Sequence, residues 1–478
     1  MTLSQKTITG ILWNFVEQIG RKGIGVIITL LLARFLAPAD YGLVAMMAVF
    51  LTVANSLMDS GFKQALIRLQ AASQLDFNTA FYTNLALGVL SYLLLFLSAP
   101  FIADFYSEPR LIILIRVAGL NILIHAFQVV QSAILSRELN FKAQLQATVP
   151  AGIISGLVAV GLAYVGFGVW ALIVQMLLAA FLTTALLWHL QGWRPNLSFS
   201  RLSLGSMYNF GYKLFLSGLL DTVFRNIYVI VIAKLFAASI VGYYFIADKL
   251  KDLVISQLVG AIQNVTYPAL STMQADDKRL KAGYRKVMQV TTFLLFPSML
   301  LLAALAEPLF SLLLPQKWLP AVIYLQLMCL AGIMYPLHSI NLNILKVKAR
   351  SDLFLYLEII KKAMAVLILF ICYRYGVIGI LVGQIIGSVL AYIPNSYFSL
   401  RLINYTVREQ MADFMPGLAL SGAVALVIYG AGLLVQWSAV IKLAVSALLA
   451  GTMFLLGAHL LRLQAYLLAR QIIFKKIN

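Results

Sequence analysis

The sequence predicts an all-α polytopic membrane protein of about fourteen transmembrane helices, arranged as two six-helix bundles followed by an extra C-terminal pair. Three observations predict it. The chain is 62% hydrophobic and 11% charged, with mean hydropathy +0.92, where a soluble domain carries about 25% charged residues. Its apolar runs exceed roughly 18 residues, helix length for a bilayer, and lack the alternation of membrane β-strands. A ten-residue stretch also occurs twice. Ala33, Arg34, Ala37 and Gly42 fall on Ala233, Lys234, Ala237 and Gly242 at an offset of 200. Each copy ends an apolar run in a cation and a small-residue turn before a second run begins, the pattern of a helical hairpin loop. A hairpin repeated at that distance predicts two similar bundles in one polypeptide.

In chain order, the first bundle occupies 1–190, with spans near 9–36, 40–62, 77–99, 110–134, 143–165 and 167–190. Residues 191–206 form a cytoplasmic linker, of which Gln191 to Leu204 is the most polar inter-half stretch. The second bundle occupies 207–403, with spans near 207–236, 240–268, 286–306, 319–345, 353–373 and 377–400. Residues 404–478 hold the appended spans, 413–436 and 438–461, and a basic tail. The halves match again at offset 210. Ile134-Leu135 precedes the Arg137–Lys142 loop as Ile344-Leu345 precedes the Lys346–Arg350 loop, and Gly166 falls on Gly376. Both hairpin copies follow an odd-numbered span, so the repeats are parallel.

Loop charge sets the orientation. With the N-terminus inside, 21 cations fall in cytoplasmic loops and tails, among them Lys63, Arg137, Lys281, Arg285 and Lys348, and five fall outside: Arg34, Arg110, Lys234, Lys317 and Arg374. That bias predicts N-in and C-in. The net charge of +19 therefore belongs to cytoplasmic loops, not to a nucleic-acid surface. No cleavable leader is expected after Lys6. The six tryptophans lie near span ends, as an interfacial belt requires. Gly152 and Gly156, and Gly379, Gly383 and Gly387, are spaced for close helix packing. With Pro297, Pro336 and Pro394 inside spans, the alternative reading is hinges.

Ten cations remain outside the loops. Lys442 snorkels from a span end. The other nine are Arg21, Lys22, Arg116, Lys213, Arg225, Lys249, Lys251, Lys361 and Lys362. Each would cost at least ~2.5–3.5 kcal/mol at the bilayer centre. Glu17 can pair with Arg21 and Asp221 with Arg225, four residues apart; Asp248 can meet Lys251 and Lys249 can meet Asp252. Lys22, Arg116, Lys213, Lys361 and Lys362 have no obvious local acid. Three readings compete: ion pairs that fix helix register, a wet cavity that binds an anion, or span ends placed wrongly. The excess of cation over acid favours an anion site, and phosphate or pyrophosphate suits it. Its candidates are Arg21, Lys22, Lys213, Arg225 and Lys361, with Arg116, Lys249 and Lys251 secondary. Coupling to H+ or Na+ has as candidates Glu17, Asp59, Asp221, Glu358, His125 and His338, although a lone histidine is more often a satisfied interior polar group.

Absent motifs exclude other classes. There is no phosphate-binding loop ending in Gly-Lys-Ser/Thr, no H-E-x-x-H, no G-x-S-x-G and no spaced Cys/His cluster. No metal or cofactor is expected. Cys329 and Cys372 lie in apolar runs and build no disulfide framework. With no outer loop above about fifteen residues, the chain reads as a carrier and not an enzyme.

Several short motifs also carry a family likeness: Lys6-Thr7-Ile8-Thr9-Gly10 with Trp13, Leu32-Ala33-Arg34 with Tyr41-Gly42-Leu43, Asp59-Ser60-Gly61-Phe62, Tyr267-Pro268-Ala269-Leu270, and Lys317-Trp318 leading to Leu325-Gln326-Leu327. In that order the chain resembles Wzx-type polysaccharide or O-antigen flippases of the polysaccharide transporter family, within the multidrug/oligosaccharidyl-lipid/polysaccharide (MOP) superfamily, and most of all colanic-acid-type lipopolysaccharide biosynthesis exporters. The resemblance implies a V-shaped pair of bundles, as in MATE transporters, that moves undecaprenyl-pyrophosphate-linked oligosaccharide across the bacterial inner membrane by alternating access. It implies a groove for the lipid tail beside the last two spans, and a polysaccharide polymerase and chain-length regulator as partners. No motif carries individual cavity residues over. A drug antiporter of the same superfamily and a glycan polymerase or ligase stay open as alternatives.

Overall fold

The apolar runs become helices separated by tight turns. The structure is a computed structural model and describes residues 3–69, 72–435 and 437–475. The first half forms α1 (Leu3–Phe35), α2 (Pro38–Asp59), α3 (Phe62–Arg68), α4 (Gln74–Tyr106), α5 (Leu111–Ala118), α6 (Leu120–Ala126), α7 (Val129–Arg137), α8 (Phe141–Tyr164) and α9 (Val169–Leu190). After the linker come α10 (Arg201–Arg225), α11 (Ile227–Leu235), α12 (Ala238–Ser271), α13 (Asp277–Ala304), α14 (Ala306–Leu313), α15 (Ala321–Gly332), α16 (Tyr335–Val347), α17 (Ser351–Cys372), α18 (Gly376–Ile403), α19 (Val407–Leu434), α20 (Ala439–Leu460) and α21 (Gln464–Lys475). Each expected span falls on one helix or on a broken series of helices, and the chain is a membrane protein. Among the described residues, nine helical stretches are long and apolar enough to cross a bilayer, or up to eleven with two bent pairs counted. The difference from fourteen has two sources. The charged helices α1 and α12 lie outside the nine, and α17 and α18 count there as one run, Asp352–Ile403.

Two compact units divide the chain, Met1–Phe245 and Ile246–Asn478. The division falls inside α12 and not in the linker. The linker is fastened within the first unit. Asn78 of α4 bonds Ser198 Oγ at 2.6 Å and accepts from the Asn196 N–H, and Gln74 donates to the Arg194 carbonyl at 2.8 Å. Trp188 and Trp193 pack edge-on against Phe81. Trp318, expected at an interface, is fully buried in the second unit.

The internal repeat is visible in local geometry. α1 ends at Phe35 and α2 starts at Pro38; α11 ends at Leu235 and α12 starts at Ala238, both at offset 200. Leu139 (φ 56°) and Ala349 (φ 53°) are left-handed at offset 210, as are Gly166 (φ 93°) and Gly376 (φ 72°). The Asn140 N–H bonds the Leu135 carbonyl at 2.9 Å, and the Arg350 N–H bonds Leu345 at 2.8 Å. These bonds close a helix end in the same way twice.

Within the first unit the two hairpin copies meet. A Cβ on Gly42 would lie 1.7 Å from the Ala238 carbonyl oxygen, and one on Gly242 would lie 1.8 Å from that of Pro38. Only hydrogen fits at either position. At the other end of α2, a Cβ on Gly61 would lie 2.7 Å from Gly211 Cα, and one on Gly211 would lie 2.5 Å from the Ser60 oxygen. The start of α12 therefore touches α2 backbone to backbone at one end, and α10 does so at the other. The spaced glycines of the sequence act as packing residues too. Gly156 faces Ile28 of α1, and Gly383 faces Cys372 at the end of α17.

Arg137, at the end of α7, donates to the carbonyls of Leu66 and Leu69 at the C-terminus of α3. A guanidinium there satisfies carbonyls that the helix leaves orphaned. Arg137→Ala should lower stability by about 1.5–3 kcal/mol, the range for hydrogen bonds to a charged group. A drop in the thermal unfolding midpoint of the purified protein checks this.

In the second unit, α19 lies along α13, and a buried polar network ties them. Asp413 of α19, 5% exposed, takes both Nε and Nη2 of Arg285 at 2.7 Å. It also accepts from Tyr405 Oη at 2.6 Å and Gln289 Nε2 at 2.8 Å. Glu409, in a capping box with Thr406, accepts from Lys281 Nζ at 2.8 Å. Deeper in, Tyr284 donates to Asn341 at 2.7 Å, Ser399 donates to the same oxygen at 2.6 Å, and Tyr392 donates to Gln410 at 2.8 Å. Lys281 and Arg285 thus stand on the helix α13, not in a loop. The first turns of α13 continue past the apolar run as an amphipathic end.

Candidate functional site

Four of the expected anion-binding cations sit on four helices, and each is paired to an acid one turn before it. On α1, Arg21 Nε lies 3.2 Å from Glu17 Oε1; on α10, Arg225 Nε lies 2.7 Å from Asp221 Oδ2. On α12, Lys251 Nζ lies 2.5 Å from Asp248 Oδ1, and on α17 Lys361 pairs with Glu358. Residues three and four apart share a helix face, which is why these pairs form within a helix. A pair carries no net charge, which lowers the cost of placing its two ions in a bilayer. Lys361 is a correction to the sequence reading. Its acid is Glu358, three residues back.

The pairing merges two lists of candidates. Glu17, Asp221 and Glu358 were expected to couple an ion, and Arg21, Arg225 and Lys361 to bind an anion; the structure joins them pairwise. They differ in exposure. The Arg21 side chain is 59% exposed and Glu17 12%, and Thr148 Oγ1 of α8 reaches Glu17 Oε1 at 3.5 Å. Lys361 and Glu358 are 17% and 24% exposed. The Arg21 and Arg225 side chains lie on exposed faces of their helices. Gln18, Arg21 and Gly25 form an exposed stripe on α1. A Cβ on Gly23, Gly25 or Gly218 would meet nothing within 4 Å. A polar stripe on a membrane-spanning helix is stable only against water or polar matter.

Several of the other candidates make different contacts. Arg116 lies over the Phe96 ring at 4.3 Å, with its Nε buried and unbonded among the described residues. This cation–π contact holds α5 to α4. Lys22 is half-buried on α1 and Lys249 is exposed on α12. Lys213 belongs to α10, and its side chain lies outside the described residues. Asp59 is the last residue of α2, where its Oδ1 accepts from the Lys63 N–H at 3.3 Å. His125 lies 2.9 Å from Gln128 Nε2. His338 is bracketed by Asn395 Nδ2, 2.7 Å from Nδ1, and Ser388 Oγ, 3.3 Å from Nε2; Ser388 in turn donates to the Ala331 carbonyl at 3.0 Å. This chain of bonds suits a neutral ring with its proton on Nε2, assigned from the network.

Sequence reasoning missed the contact between the two hairpin glycines and the Arg285–Asp413 anchor. The glycines were visible as a repeat, with no sign that they touch. Asp413 lacks a local partner in sequence, and its partner stands 128 residues away.

Comparison with known proteins places this arrangement. A family model described as "Polysaccharide biosynthesis protein" matches residues 31–323, more than half of the chain. The chain is 25% identical over 403 residues to the lipopolysaccharide biosynthesis protein WzxC of Escherichia coli (strain K12), covering 82% of this chain and 81% of that one. It is 27% identical over 337 residues to the succinoglycan biosynthesis transport protein ExoT of Rhizobium meliloti (strain 1021), covering 70% and 68%. In structure it resembles the lipid II flippase MurJ in an inward closed conformation, with TM-score 0.73, 14% identity and 94% and 98% coverage. It also resembles an inward-facing multidrug resistance MATE family transporter of the MOP superfamily, with TM-score 0.64, 16% identity and 81% and 96% coverage. These likenesses are of fold.

Proposed function

Because the chain belongs to the polysaccharide biosynthesis protein family, we propose that it is a flippase that carries undecaprenyl-pyrophosphate-linked oligosaccharide across the bacterial inner membrane by alternating access. It lies N-in and C-in with fourteen spans, twelve of them in two bundles and the last two, α19 and α20, beside the lipid tail. What supports this reading is the acid-paired cations of each unit, on α1 and α10 in the first and on α12 and α17 in the second. A diphosphate is the stronger partner for a guanidinium or ammonium than one carboxylate, since it offers more oxygens and more charge. On arrival it takes the cation, and the released Glu17, Asp221 or Glu358 takes a coupling proton. Anion binding and protonation are then one event. The sugar occupies the wet space, and the prenyl chain stays in lipid. A polysaccharide polymerase and a chain-length regulator receive the product.

The transport role of ExoT supports a carrier over a polymerase or ligase. The MATE-like fold keeps a drug antiporter as the second reading. The test is surface polysaccharide in a strain that lacks its own exporter. Arg21→Gln and Lys361→Gln should each cut export by about tenfold or more, the equivalent of ~1.4 kcal/mol of lost anion stabilisation, at unchanged protein level. Full export by both variants rejects the cation site. Drug resistance without polysaccharide export selects the antiporter.

A further inference from the structure

One end of the second unit holds a cavity of about 210 Å³. It opens where α14 meets the end of α19 and the start of α20, at the far end of α19 from Asp413. Further along the same seam the packing is closed. Val424 and Ile428 of α19 and Ala450 and Phe454 of α20 form one apolar cluster with Leu301, Ala304 and Leu305. The Phe454 ring meets that of Phe293 at 5.0 Å between centroids. The cavity is a gap at one end of an otherwise tight seam.

Its lining brings an acid and a base into one small space. Glu307 and Ser311 come from α14, Tyr429 from α19, Trp437 from the connection, and Lys442 and Ser446 from α20. Lys442 Nζ donates to the Gly432 carbonyl at 2.9 Å, which holds the ammonium at the cavity and uses one of its three donors. Glu307 is exposed, and no salt bridge joins it to Lys442 among the described residues. The surroundings are those of a bilayer surface. Leu433, Leu434, Val440 and Ile441 beside the cavity are exposed, as are Trp437 and Tyr429. Aromatic rings with a polar edge collect at the depth of lipid headgroups.

We propose that the cavity binds the headgroup of one bilayer phospholipid that carries a primary amine, a phosphoethanolamine. The phosphate takes the remaining Lys442 donors and the Ser446 hydroxyl, and the ammonium donates to the Glu307 carboxylate. The acyl chains lie along the exposed leucines. Charge complementarity selects this occupant. A purely anionic headgroup satisfies Lys442 and is repelled by Glu307, which also excludes the diphosphate of the proposed substrate. A quaternary amine has no N–H to give Glu307. The cavity is below the ~300–1,000 Å³ of a site for a drug-sized ligand and suits a headgroup alone. The bound lipid joins α14 to α20 and closes the open end of the seam, while Arg285 and Asp413 fasten the other end of α19. It is a resident of the membrane and not the cargo.

The test mixes the purified full chain in detergent with phosphatidylethanolamine, phosphatidylcholine or phosphatidylglycerol at equal mole fraction and reads the thermal midpoint. Phosphatidylethanolamine should raise the midpoint saturably, by about 2 °C or more beyond either other lipid, since a ligand of the native state stabilises it by mass action. Glu307→Gln and Lys442→Gln should each remove that difference. Lys442→Gln also loses the bond to Gly432, and the exposed Glu307→Gln keeps the test open if that variant does not fold. An equal rise with phosphatidylcholine or phosphatidylglycerol overturns the proposal, as does an undiminished preference for phosphatidylethanolamine in Glu307→Gln. An equal rise with soluble glycerophosphoethanolamine, which has no acyl chains, overturns the lipid as the source. Export plays no part in this readout, so rejection of the cation site through Arg21→Gln and Lys361→Gln leaves it unaffected.

Discussion

Gly42→Val and Gly242→Val should each leave a chain that melts well below the parent and exports less than about one-tenth as much polysaccharide. Ordinary overpacking costs about 1–3 kcal/mol because flexible side chains move aside. Here the obstructing atoms are carbonyl oxygens 1.7 and 1.8 Å from the new Cβ, and backbone cannot rotate away. α2 and α12 must separate, and the contacts on both sides of the crossing separate with them. Even alanine should be damaging at either position. Gly25→Ala is the control. Its Cβ meets open space, and alanine gains up to about 1 kcal/mol of helix propensity, so that variant should fold at least as well as the parent. Thermal unfolding of the three purified variants decides the matter. Parent-like midpoints for Gly42→Ala and Gly242→Ala would mean that the crossing is looser than its geometry.

Asp413→Ala should cost about 1.5–3 kcal/mol, the range for hydrogen bonds to a charged group. It orphans three donors at once: the Arg285 guanidinium, the Tyr405 hydroxyl and the Gln289 amide. The loss should fall on α19, which this network fastens to α13. Protease cleavage near Asn404–Thr406 is the direct readout, alongside the melting midpoint. Arg285→Ala in the Asp413→Ala background should add little, because the pair is already broken. Arg285→Met with Asp413→Leu should recover part of the loss, since apolar replacements of a buried pair are often tolerated. Additive losses in the double alanine variant would mean that the two residues act separately.

The helices were legible because a bilayer imposes a length on every apolar run, and hairpin turns leave glycine and proline in the sequence. The repeat was legible for the same reason, down to Gly166 and Gly376, whose positive φ only glycine adopts freely. The local pairs Glu17–Arg21 and Asp221–Arg225 follow from one helical turn. Glu358–Lys361 obeys the same rule at a spacing of three, although the sequence reading left Lys361 without an acid. Arg285 and Lys281 were read as loop cations because hydropathy ends where the apolar face ends, while α13 continues as a half-polar helix. Asp413, Gln410 and Asn341 carry no local signature. Their partners come from other helices, and only tertiary packing assembles them.

The meeting of Gly42 with the start of α12, and of Gly242 with the start of α2, has a consequence for descent. Two residues at equivalent places in a duplicated chain pack against each other's neighbourhood. In an ancestor of half the length, a single glycine would have met its own twin across a two-fold axis, and the molecule would have been a homodimer. Had the halves arisen by fusion of such copies, one self-complementary residue would have become two independent loci. Drift at one cannot be compensated at the other, because each clash is with main chain, and so both remain bound to the smallest residue however far the two halves diverge.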